Sequence, residues 1–491
     1  MSKSQYMPRP SRLRLMLAAG LATMGALFGM PADVTGQEVA PPAERELARS
    51  ILKELIEINT TQSVGSTRKA AEAMAERVRS AGYDARDISI VGPEGERKSL
   101  IVRLRGKSDG PARKALLLMA HTDVVEAKRD DWSSDPFVFR ADSASFYGRG
   151  TIDNKSGAAM LVANMMRWKR EGFVPDRDVI MLLTTDEETD AIAGIQYVLK
   201  NHRDLVDAEF CLNTDGGGVE LKDGKPNLNV VGAAEKVYQS FTLEVRNRGG
   251  HSSVPRKDNA IYQLSKALVK LSEYAFPVQL NDVTRTMFER SGKVEKGQLG
   301  ADMRAVATSN GKALGAVHRL AMSPTYNSLL RTTCVATMLD GGHADNALPQ
   351  LARATVNCRM FPGSKVEEVR QALAKATGDT AVVVKPIAPF AIESPASPIR
   401  ADLLGILDRL TARYYAGATV VPAMETGASD GLFLRNAGIP TYNTGAIAGD
   451  PDDDRAHGRD ERVLEKSFYD ATQFWYDLVK SITTPGVTTK S

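Results

Sequence analysis

The chain has 491 residues, 43% of them hydrophobic and 25% charged, an ordinary globular composition long enough for two or three domains. A core of that size needs no disulfide or structural metal to hold it. The formal net charge of +3 is too small to support a nucleic-acid partner or a charge-recruited membrane surface.

The first segment reads as an export signal. Lys3, Arg9, Arg12 and Arg14 precede an uncharged run over residues 15–30, and small residues follow, with Gly36 before Gln37 as a cleavage point. A permanent anchor is the competing reading, but the run falls short of the ~20 apolar residues that span a bilayer. Residues 1–36 are therefore expected to be removed, and the mature protein to be periplasmic or secreted with no membrane span. The three cysteines, Cys211, Cys334 and Cys358, are an odd, low count that argues against a disulfide framework. They are expected to be buried and apolar on strands; a Cys334–Cys358 bridge is the one pairing left open, since both fall in strands of one sheet.

Residues 44–82 carry helical periodicity through Leu47, Ile51, Leu55 and Ile58, then Ala70, Met74 and Val78, with Gly82 as the stop. Strands follow at 99–104 and 115–119, the second almost wholly apolar, as in a parallel strand buried on both faces. A helix over 157–168, a strand over 179–183, a helix over 192–199 and a strand over 209–213 continue the alternation. This predicts an α/β domain with a mostly parallel sheet flanked by helices, spanning residues 37–233 and resuming over 394–482. Between them, 234–393 reads as an inserted α+β unit: strands at 240–245, 332–339, 352–361 and 380–384, helices at 257–276 and 365–375, and a weaker helical stretch over 278–330. Helix 401–414, strand 418–424, a glycine-rich turn, strand 441–443 and helix 461–482 close the chain, with 483–491 expected to be a disordered tail.

Chemistry-bearing residues fall at the ends of the buried strands. The apolar run 116–120 delivers His121-Thr122-Asp123, and Asp123 can accept the second ring N–H of His121 and fix its tautomer. Tyr147-Gly148-Arg149-Gly150-Thr151-Ile152-Asp153-Asn154 places an acid just before a helix, where it is either a metal bridge or a helix cap. A third strand ends in Asp186-Glu187-Glu188. Three adjacent carboxylates call for a nearby cation, and two neighbours can divide the work, one as ligand and one as proton acceptor. Asp215 ends a fourth strand, and His457 precedes the last helix. Two histidines and three carboxylates with a spare glutamate suit a catalytic zinc centre, because a structural one would favour cysteine.

In order and type, these motifs resemble the co-catalytic di-zinc metallopeptidases that include aminoacylase, glutamate carboxypeptidase, Gly-X carboxypeptidase and succinyl-diaminopimelate desuccinylase. The resemblance covers residues 45–482. It implies two zinc ions per subunit, with cobalt or manganese as substitutes. His121 and Asp215 would hold one, Glu188 and His457 the other, and Asp153 would bridge them. Asp123 would support His121, Glu187 would be the general base, and Asp153–Asn154 would be a cis peptide. The insert resembles the family's lid, or dimerisation, domain. His251, in Arg248-Gly249-Gly250-His251-Ser252-Ser253, would face the developing oxyanion. Asn346 and Arg359 would bind a substrate carboxylate, Arg359 through its guanidinium fork. Gly427, in Thr426-Gly427-Ala428-Ser429-Asp430-Gly431, would belong to a substrate loop. The lid is longer than in small members, mainly through 278–330, which leaves a homodimer through the lid and a monomer as alternatives.

The expected activity is hydrolysis of an amide bond beside a free carboxylate, in a dipeptide, short peptide or N-acyl amino acid. A carboxypeptidase or dipeptidase is the first reading and an N-acyl-amino-acid deacylase the second. An inactive zinc-binding protein is the alternative of another class, and Glu187 argues against it.

Overall fold

The computed structural model describes residues 40–107, 113–389 and 391–484. The expected signal segment and the tail beyond Thr484 lie outside them. Among the described residues no helix is long and apolar enough to cross a membrane.

The main sheet is parallel at its centre. Ala115–His121 lies between Val179–Thr184 and Ala208–Asn213, parallel to both, and every residue of the first two strands is buried. Such uniformly apolar strands tolerate no wet face, so helices must cover both sides. Thr441–Asn443 extends the parallel set beyond Ala208–Asn213. The edges are antiparallel: Ser99–Leu104 pairs with Val179–Thr184 and Ile88–Val91 with Ser99–Leu104. On the other side the hairpin Gly218–Lys222 and Lys225–Glu235, not anticipated from sequence, widens the sheet. Thr419–Glu425 adds in parallel to Lys225–Glu235. The fold class is the expected α/β, its sheet parallel at the centre, antiparallel at the edges and flanked by helices.

Helices Pro42–Glu57, Thr67–Ser80, Lys155–Arg170 and Glu465–Thr483 pack on this sheet, with Trp168 and Trp475 fully buried. The first periodic stretch breaks in two because Ser66 restarts it as an N-cap, accepting a hydrogen bond from the Lys69 N–H. Thr483, expected in the tail, ends the closing helix.

The inserted unit is a four-stranded antiparallel sheet in the order Thr333–Gly341, Leu351–Met360, Val237–Arg246, Val383–Pro386. Helices Ala260–Glu273 and Val366–Thr377 cover one face and enclose a separate core around Phe241, Leu264, Val356 and Leu373. Cys334 and Cys358 are directly opposite in its ladder, with Cα atoms 4.1 Å apart, and form a disulfide; Cys211 alone stays free and buried. This corrects the reading of three free cysteines: an odd count leaves one thiol over but does not forbid a pair that strand register brings together.

The segment 278–330 departs most from expectation. It forms four helices, Asp282–Val294, Gly297–Thr308, Leu314–Ala321 and Pro324–Leu330. The first is capped by reciprocal bonds between Asn281 and Thr284. These helices do not enlarge the lid. Val283, Phe288, Val306, Leu320 and Leu330 join the main core, and the first helix lies against Thr419–Glu425. Removing a buried aromatic such as Phe288 from that seam costs about 3–5 kcal/mol.

Candidate metal centre and active site

Strand register brings the predicted ligands to one edge. His121 pairs with Thr184, and Met119 pairs with Asn213, so the loops carrying Glu187, Glu188 and Asp215 leave the sheet level with His121. His121 Nε2 lies 2.8 Å from Asp153 Oδ1. His457 Nε2 lies 3.0 Å from Asp153 Oδ2 and 3.0 Å from Glu188. His121, Asp153 and Glu188 each offer a ligand atom within 4.8 Å of the others, as do His121, Glu187 and Asp215. Asp153 thus faces both histidines with its two oxygens, and Glu187 stands on the Asp215 side of the cluster.

Asp123 orients His121 less directly than the sequence suggests. The ring Nδ1 is 3.1 Å from the Asp123 carbonyl oxygen and 3.6 Å from its carboxylate. The carboxylate instead accepts a hydrogen bond at 3.0 Å from the Glu188 N–H, tying the His121 loop to the acidic loop. The peptide between Asp153 and Asn154 is cis. Gly157, in the helix that follows, is required by contact. A Cβ there would fall 2.0 Å from Asn154 Oδ1 and 2.1 Å from Thr214 Oγ1.

The electrostatics are those of crowded acids beside histidines. Burial pushes Asp215 up to about 7, with Asp153, Glu235 and Glu188 adding to the rise. Burial and then Asp215 push Glu187 well above the usual carboxylate range. Burial opposes protonation of His121, but Asp123 and Asp153 beside the ring raise its pKa well above the ordinary value. Hydrogen bonds to Asp153 and Glu188 raise His457 to about 10. A cluster this anionic, with mixed nitrogen and oxygen donors, fits divalent cations, which would replace the protons it otherwise holds.

Sequence reasoning missed the groups that hold the ligands in place. Glu461 is fully buried and accepts hydrogen bonds from the backbone N–H groups of Gly150, Ile152 and Asp153 at 2.9, 2.7 and 3.1 Å. It also pairs with Arg149 at 2.6 Å, and Arg149 donates to the carbonyls of His457 and Gly458. One carboxylate and one guanidinium therefore clamp the Asp153 loop to the His457 loop. The only sequence signal was an acid four residues after His457 and an arginine between two glycines. On the other flank Glu235 is buried, accepts from Ser429 Oγ at 2.6 Å and from Asn443 Nδ2 at 3.0 Å, and pairs with Arg435 at 2.6 Å. Glu425, pushed up to about 8 by burial and by Glu235, accepts from the Gly217 N–H at 2.9 Å. Asp430, also pushed to about 8 by burial, lies close enough to feel Asp123 and Asp215.

The lid residues are less gathered. His251 and Ala347 pair in a two-stranded ribbon, and the Asn346 carbonyl accepts from the Ser252 N–H at 2.9 Å. His251 is exposed and bonds through Nδ1 to Ser253 Oγ at 2.7 Å; Asn346 is exposed as well. Arg359 stacks on Tyr238 and donates to the Thr426 carbonyl at 3.2 Å, reaching the loop that carries exposed Gly427.

A parallel strand edge that presents histidines and carboxylates around a shared aspartate defines a metal-dependent hydrolase on an α/β frame. Residues 117–481 match peptidase family M20/M25/M40, and the chain belongs to that family, whose members are metallopeptidases. It is 26% identical over 392 residues to probable carboxypeptidase S-like 2 of Dictyostelium discoideum, covering 78% of this chain and 74% of the relative. It is 26% identical over 386 residues to the human N-fatty-acyl-amino acid synthase/hydrolase PM20D1, covering 76% and 75%. Its fold matches an M20 family metallo-carboxypeptidase from Sulfolobus solfataricus at a TM-score of 0.63 and 18% identity, over 88% of this chain and 98% of that one. Human carnosine dipeptidase 1 aligns at a TM-score of 0.59 and 14% identity, over 89% and 96%.

Proposed function

We propose that this metallopeptidase hydrolyses the amide bond next to a free carboxylate, using two zinc ions held by His121, Asp153, Glu188, Asp215 and His457. The observation that carries the reading is the convergence of these five residues and Glu187 from separate loops onto one sheet edge. Bound zinc would supply Lewis acidity toward the scissile carbonyl and the attacking water. Glu187 takes the water proton and returns it to the leaving amine; its burial among acids suits a base that must both accept and release a proton. Asp123 positions His121, and the Glu461–Arg149 pair fixes the spacing of Asp153 and His457. Arg359, with Asn346, anchors the substrate carboxylate, and His251 donates to the oxyanion once the lid closes over the bound substrate.

A carboxypeptidase or dipeptidase is the first reading, in line with the relatives named carboxypeptidase and the dipeptidase fold neighbours. N-acyl-amino-acid hydrolysis is the second, in line with the relatives named N-fatty-acyl-amino acid synthase/hydrolase. Incubating the zinc-loaded protein with a mixed dipeptide and N-acyl-amino-acid library, with products identified by mass, tests both. No turnover of any member, with zinc bound, would leave a non-catalytic binding protein.

Export to the periplasm or beyond is supported by the basic and apolar N-terminal segment and by the Cys334–Cys358 disulfide, since such bonds persist in oxidising compartments. A homodimer paired along Thr333–Gly341 is supported by that strand's position at the edge of the lid sheet, where Val335, Met338 and Leu339 are 61–68% exposed. Light scattering on Leu339→Lys, expected to be monomeric beside a dimeric wild type, checks it.

A further inference from the structure

Lys236 is the residue at which the chain leaves the main sheet, between Lys225–Glu235 and the lid strand Val237–Arg246. It is 1% exposed, and its ammonium donates to the Arg331 carbonyl at 2.7 Å and to Thr333 Oγ1 at 3.2 Å. Arg331 follows the last inserted helix, and Thr333 opens the lid strand Thr333–Gly341. One side chain thus ties together two crossings between the main core and the lid. Among the described residues no carboxylate pairs with it, and its two acceptors are neutral oxygens. Burying an ammonium on such terms is costly, and an apolar side chain would fill the space at lower cost, so packing alone does not account for it. Burial, and then the nearby Arg359, push its pKa down to about 7.

The surroundings of Arg359 are held from this point. Thr333 is directly opposite Arg359 in the lid ladder. Tyr238, two residues after Lys236, is opposite it on the other side, with the guanidinium 5.0 Å from its ring centre. On the main-sheet side the Lys236 N–H donates to the Glu425 carbonyl at 2.9 Å, one residue before the Thr426 carbonyl that Arg359 reaches at 3.2 Å. Lys236 therefore braces both ends of the Arg359–Thr426 contact. The two cations are close enough to repel, and a carboxylate bound at Arg359 would offset that repulsion.

We propose that Lys236 is a positioning residue for carboxylate binding: it fixes Arg359 through Thr333 and the facing loop through Glu425, and its ammonium adds to the charge that draws a substrate carboxylate to Arg359. This rests on the reading of Arg359 as the carboxylate anchor. The ammonium itself stays buried and does not touch the substrate.

Lys236→Met keeps the backbone bond to Glu425 and the approximate length of the side chain, and removes the charge and both side-chain bonds. In the zinc-loaded full chain it is expected to raise KM about tenfold, the worth of a hydrogen bond to a charged group, with kcat changed less than about twofold on that scale and zinc content unchanged. A second readout separates positioning from general loosening of the lid. Affinities for leucine and for leucinamide, measured by calorimetry, give the preference for a carboxylate over a carboxamide. Lys236→Met should lower that preference about tenfold by weakening leucine alone, and should add little to Arg359→Ala, because it acts through that residue. Equal weakening of both ligands, or full additivity with Arg359→Ala, overturns the proposal. Should Lys236→Met misfold, Thr333→Val removes the hydroxyl that links the ammonium to the strand opposite Arg359, and the same loss of preference, smaller in size, is expected; an unchanged preference overturns the proposal. If Arg359→Ala itself leaves the preference intact, the anchor reading falls and this one with it. If Arg359→Ala abolishes the preference and Lys236→Met does not, the anchor stands and the role of Lys236 falls alone.

Discussion

The sheet edge and the lid present their residues in opposite ways. At the edge, His121, Glu187, Glu188 and Asp215 follow strands buried on every residue or nearly so, and a fully buried Glu461 pins the two remaining ligand loops. In the lid, His251 sits on an exposed two-residue ribbon with Asn346 beside it, and of the three lid residues Arg359 alone touches the loop that carries Gly427. Chemistry that requires fixed spacing sits where packing supplies it, while the groups proposed to meet the substrate sit on a unit with its own small core. The edge should therefore govern whether reaction occurs, and Arg359 in the lid how well substrate is held.

Four measurements break or sharpen that contrast. The largest effect is expected from metal removal. Prolonged chelation should abolish hydrolysis and zinc should restore it, with metal content followed by mass spectrometry; full activity in metal-free protein would refute the cluster's role. Glu187→Gln comes next, with an expected loss of about 10²–10⁴-fold in kcat and zinc content unchanged. Loss of zinc along with activity would show that Glu187 is a ligand, as its grouping with His121 and Asp215 permits. On the lid side, Arg359→Ala should raise KM by about tenfold or more, the worth of one hydrogen bond to a charged group, with a smaller change in kcat. A fall in kcat alone would place Arg359 in the chemistry. The smallest effect on turnover is expected from Cys334→Ser with Cys358→Ser. It should lower lid stability by about 3 kcal/mol, as for a loop of this size, seen as a lower melting temperature, and leave zinc affinity unaltered. A loss of zinc affinity would mean that the two regions are coupled through their packing.

What could be read from sequence follows the same division. Strands 99–104 and 115–119 were legible because uninterrupted apolar runs have few other solutions, and His121, the acids at 186–188 and Asp215 each follow such a run, whereas Asp153 and His457 precede helices. Residues 278–330 were not, because an amphipathic helix shows that it has a buried face but not which core receives it. Phe288 and Leu330 turned out to join the main one. The hairpin 218–235 was missed because its strands are half-buried and glycine-punctuated, without a strong period. Glu461, Glu235 and Glu425 could not be singled out, since a carboxylate's role is set by partners more than a hundred residues away.

The sequence by itself determined the α/β class and singled out five candidate metal ligands and a candidate base beside them, because strand burial and ligand chemistry are local properties of short segments. Only the tertiary structure decided which loops meet, which acids clamp them, that two cysteines face each other, and that the four helices of 278–330 join the main core. Those facts depend on register and on packing between distant parts of the chain, and neither is encoded in any one stretch of it.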